Sequence, residues 1–181
     1  MKNRQKSKEY IGYIVEFKDE ETIGMIVSKK INEEPKVYAN TNIRTRNEVM
    51  EQLFNYIPDL IINEKEIPEY IYEWTKKISL IRKGIDQDTS EIPLDLDDYS
   101  EKQKMVIQTA HINIPVDSYW SYGEVAEKSG LPKAARFVGT TMKTCRQPWI
   151  IPCQRVKNTT FIKKWRKQLG LHDLTKKNMP L

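Results

Sequence analysis

An acidic segment in the middle of the chain separates two halves of opposite charge. Residues 84–99, with the sequence GIDQDTSEIPLDLDDY, contain a proline and show no helical spacing of apolar residues, so we interpret them as an exposed linker. Residues 1–99 carry 15 Lys+Arg and 20 Asp+Glu, whereas residues 100–181 carry 15 and 5, so the net charges are −5 and +10. We therefore expect an N-terminal α/β domain over 1–90, an acidic linker over 91–99 and a basic domain over 100–181.

The first half has the pattern of a small sheet accompanied by helices. Residues 10–17 and 22–28 are apolar and β-branched and enclose a polar turn, which predicts a β-hairpin, and residues 36–40 are a candidate third strand. Apolar residues at helical spacing predict a helix after Asn47, a candidate N-cap, and a second helix over 67–81.

The second half is mainly helical. Ser100 is a candidate N-cap for a helix over 101–111, and two further helices are predicted over 122–129 and 133–144, joined by a turn at 130–132. The last two helices form a helix-turn-helix pattern, which many pairs of core helices also show. A basic half fits a polyanion binder, and it fits a solvated surface without a partner equally well. The fold class expected for the whole chain is mixed α/β (α+β), with a mainly helical second domain.

The helix predicted over 133–144 is rich in small residues. It contains Ala134, Ala135, Gly139, Thr140 and Thr141, with Arg136 as the one long side chain among them. One interpretation is tight packing of this helix against another helix. The other is close approach to a DNA groove, where an arginine can enter the base stack and hold the space left by a flipped base.

Cys153 is the candidate reactive residue. Residues 149–151 are predicted to form a buried strand that ends at Pro152, so that Cys153 is held at the strand end facing a cleft. The nearby cations Arg155 and Lys157 would favour the thiolate, which is the nucleophilic form of cysteine. The alternative is that Cys153 is a small buried side chain that fills the core.

The stretch SYGEVAEKSGLPKAARFVG at 121–139, followed by IPCQRV at 151–156, resembles the catalytic domain of the O6-alkylguanine-DNA alkyltransferases, also called methylated-DNA–protein-cysteine methyltransferases. The resemblance covers residues 100–156. It implies that Cys153 takes the alkyl group from guanine O6 and keeps it, so that the protein acts once and needs no cofactor.

The same resemblance implies roles for further residues. Arg136 would replace the flipped base in the stack, and Tyr122 would help to rotate the nucleotide out and protonate the leaving guanine. The helix-turn-helix would bind the minor groove of duplex DNA that contains alkylated guanine. The DNA-binding residues expected on this basis are Tyr122, Lys133, Ala134, Ala135, Arg136, Thr140, Thr141 and Arg155.

The sequence departs from the family pattern around the cysteine. Gln154 stands where the family has a proton-relaying histidine, and Cys145 stands where it has an asparagine. The glycine-rich loop expected after Val156 is shortened, and the family's supporting glutamate has no clear counterpart, although His172 and Asp173 lie in that region.

These departures leave three hypotheses open: a self-alkylating repair enzyme, a lesion-binding protein without efficient transfer, and an unrelated function on the same scaffold. Because an amide cannot relay a proton, transfer is expected to speed up as the pH approaches the pKa of an ordinary thiol, near 8.5.

Other classes of protein are disfavoured by the sequence. No apolar stretch reaches the length of about 18 residues needed for a membrane span, and the polar N-terminus does not have the pattern of a signal peptide. The two cysteines do not predict a disulfide framework, and no ligand spacing predicts a metal site. We expect an intracellular monomer, in the cytoplasm or associated with the nucleus.

Overall fold

The computed structural model of the chain describes residues 8–18, 21–41, 45–115, 118–158 and residue 160. The first half contains, in chain order, β1 (Glu9–Glu16), β2 (Thr22–Lys29), β3 (Lys36–Asn40), α1 (Arg46–Tyr56), β4 (Ile61–Ile62) and α2 (Glu69–Arg82). The second half contains α3 (Glu101–Asn113), β5 (Trp120–Ser121), α4 (Tyr122–Lys128), α5 (Ala135–Lys143), a short 3-10 helix (Cys153–Arg155) and β6 (Val156–Lys157). This is the α+β class predicted from the sequence.

The N-terminal sheet has the strand order β3-β2-β1-β4. The predicted hairpin is confirmed, since β1 and β2 pair in antiparallel register from Glu9 opposite Lys29 to Glu16 opposite Thr22. Seven of the eight residues of β2 are buried because helices cover both faces of the sheet. A β-carbon on Gly24 would lie 2.7 Å from a methyl carbon of Val49, so glycine at this position lets α1 pack directly on the sheet.

Helix α1 begins two residues earlier than predicted, at Arg46. Its N-cap is Thr45, whose backbone N–H donates to the Glu48 carboxylate at 3.0 Å. Asn47 is already inside the first turn, so its assignment as N-cap is wrong. A threonine followed three residues later by glutamate forms a capping box, and this signal decides where the helix starts.

The acidic segment is not an exposed linker. The backbone N–H of Val37 donates to the Pro93 carbonyl at 2.8 Å, and the N–H of Asp95 donates to the Val37 carbonyl at 2.9 Å, so the segment extends the edge of the sheet at β3. Ile92 is buried in the N-terminal core, and Leu96 is buried in the core of the second half. Asp95 and Leu96 are consecutive and both buried, so the segment is a buried, irregular connection and not an exposed loop. The exact domain boundary remains a prediction.

The three α-helices in the described part of the second half enclose a separate core. Val106, Val125 and Val138, from α3, α4 and α5 respectively, are completely buried there. The predicted N-cap of α3 is confirmed, because the Ser100 hydroxyl accepts a hydrogen bond from the backbone of Gln103 at 3.4 Å. Among the described residues, no helix combines the length and the apolar character needed to cross a bilayer.

The helix-turn-helix arrangement predicted from the sequence is present as α4 and α5. The connecting turn contains Gly130 and Lys133, both at positive φ, with values of 71° and 70°. A residue in this left-handed region cannot continue a right-handed helix. For this reason α5 begins at Ala135, two residues after the predicted start at Lys133.

Candidate active site

The segment before Cys153 is a turn and not the predicted buried strand. Trp149 has a φ of 73°, which a bulky residue rarely adopts, and the Ile151 N–H donates back to the Gln147 carbonyl at 3.0 Å. Ile150 is buried in the N-terminal core, whereas Ile151 is buried in the core of the second half. Because adjacent residues enter two different cores, the chain has to turn between them.

The residues just before this turn are fixed to β3. The Gln147 side chain is fully buried and donates to the Tyr38 carbonyl at 2.7 Å. The Arg146 guanidinium donates to Asp98 at 3.0 Å and lies between the rings of Tyr38 and Tyr99, at 4.1 and 4.8 Å from their centroids. Cation–π contacts of this kind favour one side-chain orientation. The N-terminal half therefore determines where the chain enters the candidate site.

Cys153 is half-buried at the first position of the 3-10 helix. Its backbone N–H donates to the Ile151 carbonyl at 2.7 Å, and its Sγ lies 4.0 Å from the side-chain carbonyl oxygen of Gln154. The amide oxygen of Gln154 can accept the thiol proton in a hydrogen bond, but an amide cannot remove it near neutral pH.

The surroundings lower the pKa of Cys153 to about 7. The largest contribution is a hydrogen bond from the thiol of Cys145, and backbone N–H groups of Trp149 and Gln154 add to it, while burial opposes it. The same hydrogen bond, together with burial, raises the pKa of Cys145 well above its ordinary value. Of the two thiols, Cys153 is therefore the one that ionises.

Arg155 does not have the role that the sequence suggested. Its guanidinium pairs with Asp86 and donates to the Pro115 carbonyl at 3.5 Å, and its side chain is only 12% exposed. The Cys153 thiolate is stabilised chiefly by a neighbouring thiol and by backbone N–H groups. Because Arg155 is already paired, we also remove it from the predicted DNA-binding residues.

A pocket of about 470 Å³ opens beside Cys153, a volume within the usual range for sites that bind small molecules. The aromatic ring of Tyr122 lies over Gly139, where an added β-carbon would be 3.7 Å from the ring. Tyr122 and Cys153 thus share one pocket. Its lining residues are Tyr122, Gly139, Met142, Lys143, Pro148, Trp149, Cys153 and Gln154.

Four lining residues were not anticipated at the site from the sequence: Met142, Lys143, Pro148 and Trp149. Met142 and Lys143 lie three and four residues after Gly139 on α5, so helical spacing could have placed them near Tyr122. Trp149 carries no comparable signal, because its position depends on the turn between the two cores.

Helix α5 presents one exposed face to solvent. Arg136, Thr140 and Lys143 are exposed on it, at spacings of four and three residues. Thr141 is completely buried, so we remove it from the predicted DNA-binding face. Lys133 is exposed in the turn before the helix, whereas Ala134 and Ala135 are half-buried.

Two further candidate residues lie outside the described part of the chain: His172 and Asp173. Within the described part, no cluster of three or more histidine, cysteine or acidic side chains could hold a metal ion.

Residues 101–171 match a family model, that of the DNA binding domain of 6-O-methylguanine DNA methyltransferase. The matched residues make up most of the second half of the chain, which is therefore similar to the DNA binding domain of this methyltransferase family. The match includes α4, α5 and the Pro-Cys segment, the parts of the sequence that carry the resemblance. No curated protein sequence matches the chain.

Solved structures of methyltransferases share the fold of both halves. The Mycobacterium tuberculosis O6-methylguanine methyltransferase is 20% identical, with a TM-score of 0.54 over 90% of this chain and 92% of that one. The O6-methylguanine-DNA methyltransferase from Pyrococcus kodakaraensis strain KOD1 is 18% identical, with a TM-score of 0.60 over 82% and 87%. The M. tuberculosis OGT in complex with DNA is 18% identical, with a TM-score of 0.50 over 82% and 79%.

Proposed function

We propose that this protein repairs DNA by transferring an alkyl group from O6-alkylguanine in duplex DNA irreversibly to Cys153. The observation that carries the proposal is the position of Cys153 in a pocket shared with Tyr122, where its pKa is lowered to about 7. A thiolate is the nucleophilic form of cysteine, and the lowered pKa of Cys153 makes this form more abundant at neutral pH than it is for an ordinary cysteine. The match of residues 101–171 to the DNA binding domain of 6-O-methylguanine DNA methyltransferase supports the choice of substrate.

The proposed reaction is a single displacement at the alkyl carbon. The Cys153 sulfur donates an electron pair to that carbon, and a carbon–sulfur bond forms as the bond between carbon and guanine O6 breaks. The electrons of the broken bond move onto the guanine, which then takes up a proton. The Tyr122 hydroxyl would supply this proton and recover one from solvent. The products are unmodified guanine and an alkylated Cys153, so each molecule reacts once.

The proposed DNA contact is the exposed face of α5. Arg136, Thr140 and Lys143 project from it, and Lys133 lies in the preceding turn. Cations on such a surface attract phosphates, and a long side chain can occupy the stack when a base leaves it. We assign to Arg136 the role of occupying the stack in place of the flipped base, because it lies on the exposed face of α5 and does not line the pocket beside Cys153.

One observation favours a second candidate function. The Gln154 amide oxygen lies 4.0 Å from the Cys153 sulfur, at the position where a histidine would act as a proton acceptor. If the thiolate is too unreactive without that base, the protein would hold alkylated guanine in its pocket without taking the alkyl group. It would then act as a lesion-binding protein.

The two candidates differ in what happens to the DNA. Duplex DNA containing O6-methylguanine is incubated with increasing amounts of protein, and the guanine formed is measured after digestion to nucleosides. The proposed function predicts that guanine appears in proportion to protein and stops at one equivalent. The matched control is Cys153→Ser, which should bind the duplex and form no guanine. Binding without guanine formation by the wild-type protein would support the lesion-binding candidate.

A further inference from the structure

One hydroxyl group connects the acidic segment 84–99 to the turn that precedes Cys153. The Thr89 hydroxyl donates a buried hydrogen bond to the Ile150 carbonyl at 2.8 Å. The two residues are 61 positions apart in the chain, so this bond exists only in the folded protein. Because the segment and the turn each place side chains in both cores, the bond fixes the turn relative to both halves.

Thr89 is itself held in place. Its relative exposure is only 8%, and its carbonyl accepts a hydrogen bond from the Ile92 N–H at 3.0 Å. The His111 Nε2 on α3 lies 2.8 Å from the same oxygen, and it donates because a carbonyl can only accept. Thr89 therefore offers its hydroxyl from a fixed support, as expected for a group that acts through orientation.

The turn contains a strained residue between two held carbonyls. Trp149 has a φ of 73°, a conformation that persists only where the surrounding structure enforces it. The Pro148 carbonyl before it accepts a hydrogen bond from the Asn40 side-chain amide at 2.9 Å, and the Ile150 carbonyl after it accepts the bond from Thr89. Removal of the Thr89 donor would allow Trp149 to relax toward an ordinary φ.

Successive peptide units transmit this constraint from Ile150 to Cys153. The unit that joins Ile150 to Ile151 is held on both sides, because its carbonyl accepts the hydroxyl bond and its N–H donates to the Gln147 carbonyl at 3.0 Å. Pro152 follows with φ −75° and ψ 50°, close to an inverse γ-turn, and the Cys153 N–H donates across it to the Ile151 carbonyl at 2.7 Å. Since the proline ring fixes φ, the backbone of Cys153 has little freedom of its own.

We propose that Thr89 is a positioning residue for Cys153, and that its hydroxyl holds the turn in the strained conformation that presents the sulfur to the pocket. Thr89 lies on the far side of the pocket wall, where it lines a second cavity of about 350 Å³. Trp149 and Gln154 line both this cavity and the pocket beside Cys153, so they form the wall between them. The effect on alkyl transfer rests on the proposed function, whereas the conformation of the turn does not.

The first test measures Cys153 without DNA. Full-length protein is alkylated with iodoacetamide over a range of pH, and the rate at Cys153 is followed by peptide mapping. Thr89→Val keeps the shape of the side chain and removes the donor. Because backbone N–H groups of the turn help to lower the pKa of Cys153 to about 7, the midpoint should rise toward that of an ordinary thiol. Alkylation at pH 7 should slow roughly threefold or more. Thr89→Ser, which keeps the donor, should behave like the wild type.

The midpoint can be assigned to Cys153 because its neighbours do not titrate in the same range. Burial lowers the pKa of His111, so its ring is neutral at and above pH 7, and the pKa of Cys145 is raised well above its ordinary value. The other titratable or charged side chains of the surrounding described elements are of types that keep their protons near neutral pH: Tyr99, Tyr122, Lys143, Arg146 and Arg155.

The matched control is Ser90→Ala, which changes the exposed neighbour of Thr89 and should leave the midpoint unchanged. Thermal unfolding checks that each variant is folded, and Thr89→Ala takes the place of Thr89→Val if the valine variant is not. A folded variant without the donor that keeps the wild-type midpoint would overturn the positioning role. A midpoint raised equally in Thr89→Ser would also overturn it, because the hydroxyl would then not be the cause.

Transfer from O6-methylguanine DNA is measured separately. Thr89→Val should lower the single-turnover rate at saturating protein roughly tenfold and leave the affinity for the lesion duplex unchanged, because a displaced nucleophile slows the chemical step and not binding. A raised midpoint in Thr89→Val, together with no transfer by the wild-type protein, would keep this inference and reject the proposed function.

Discussion

The pKa of Cys153, and hence the charge on its sulfur, results from interactions that lower it and interactions that raise it. The Cys145 thiol and the backbone N–H groups of the turn stabilise the thiolate, and burial of the sulfur destabilises it. The balance lowers the pKa of Cys153 to about 7. At neutral pH an ordinary cysteine is ionised only to a few per cent, so the site makes the nucleophilic form far more abundant.

The rate of alkyl transfer should therefore reach half of its maximum near pH 7 and fall in acid. A lowered pKa means that the thiolate is present above it and is lost as the pH falls through it. This replaces the expectation from sequence of a midpoint near 8.5. Single-turnover rates on O6-methylguanine DNA between about pH 5.5 and 9 would measure this midpoint. A midpoint near 8.5, the pKa of an ordinary thiol, would show that the surroundings of Cys153 do not lower its pKa.

Gln154→His should accelerate transfer at pH 7 by well under tenfold, because the lowered pKa of Cys153 already favours the thiolate and a base can only supply the rest. Gln154→Asn serves as the matched control for a change of side chain without a base. A tenfold gain in the single-turnover rate for the histidine variant would show that the missing base limits the reaction.

The residue-scale site could be predicted only in part from sequence. Cys153 and Tyr122 were both identified, since the segments that carry them are short and their spacing is distinctive. The contribution of Cys145 was not identified, because it depends on a turn whose shape is determined by two cores. The expected role of Arg155 failed for a similar reason, as its partner Asp86 is distant in sequence.

At the scale of the element, α5 has one face for the core and one for solvent. Val138, Thr141 and Met142 are buried, whereas Arg136 and Thr140 are exposed. The sequence predicted the helix but assigned both threonines to the outer face. The run of small residues at 139–141 offers little contrast in hydrophobicity, so the pattern does not show which threonine points inward.

Arg136→Ala should slow transfer from duplex DNA roughly tenfold or more, while transfer from a single-stranded oligonucleotide stays near the wild-type rate. Flipping a base out of a duplex costs a few kcal/mol. The Arg136 side chain would fill the space left by the flipped base, so it is needed only when a base stack has to be held open. Thr140→Ala, on the same exposed face, is the matched control. If the transfer rate falls equally on duplex and single-stranded DNA, Arg136 does not act by filling the space of a flipped base.

At the scale of the whole molecule, two chain segments connect the two halves. Residues 84–99 and 145–151 each place apolar side chains in both cores, with Ile92 and Ile150 in the first and Leu96 and Ile151 in the second. The sequence predicted two units of opposite charge but not these connections, because the backbone pairing at Val37 joins residues far apart in the chain. The N-terminal half thus supports the candidate site.

Binding to undamaged duplex DNA should weaken steeply with salt, by roughly a hundredfold or more between about 50 and 200 mM, because phosphate contacts release counterions. The net charge of +10 on residues 100–181 is the reason for this expectation. Fluorescence anisotropy with duplexes of unrelated sequence would measure both the slope and the small sequence preference that we expect. Affinity that is unchanged over this range would argue against an electrostatic DNA-binding surface.

The mass of the intact protein after incubation with O6-methylguanine DNA tests the central claim most directly. We predict that the wild-type protein gains one methyl group, and that peptide mapping places it on Cys153 and not on Cys145. Cys153→Ser should bind the same duplex and gain no mass. If the wild-type protein binds the lesion but gains no mass at any pH up to about 9, where even an ordinary thiol is largely ionised, Cys153 is not an alkyl acceptor.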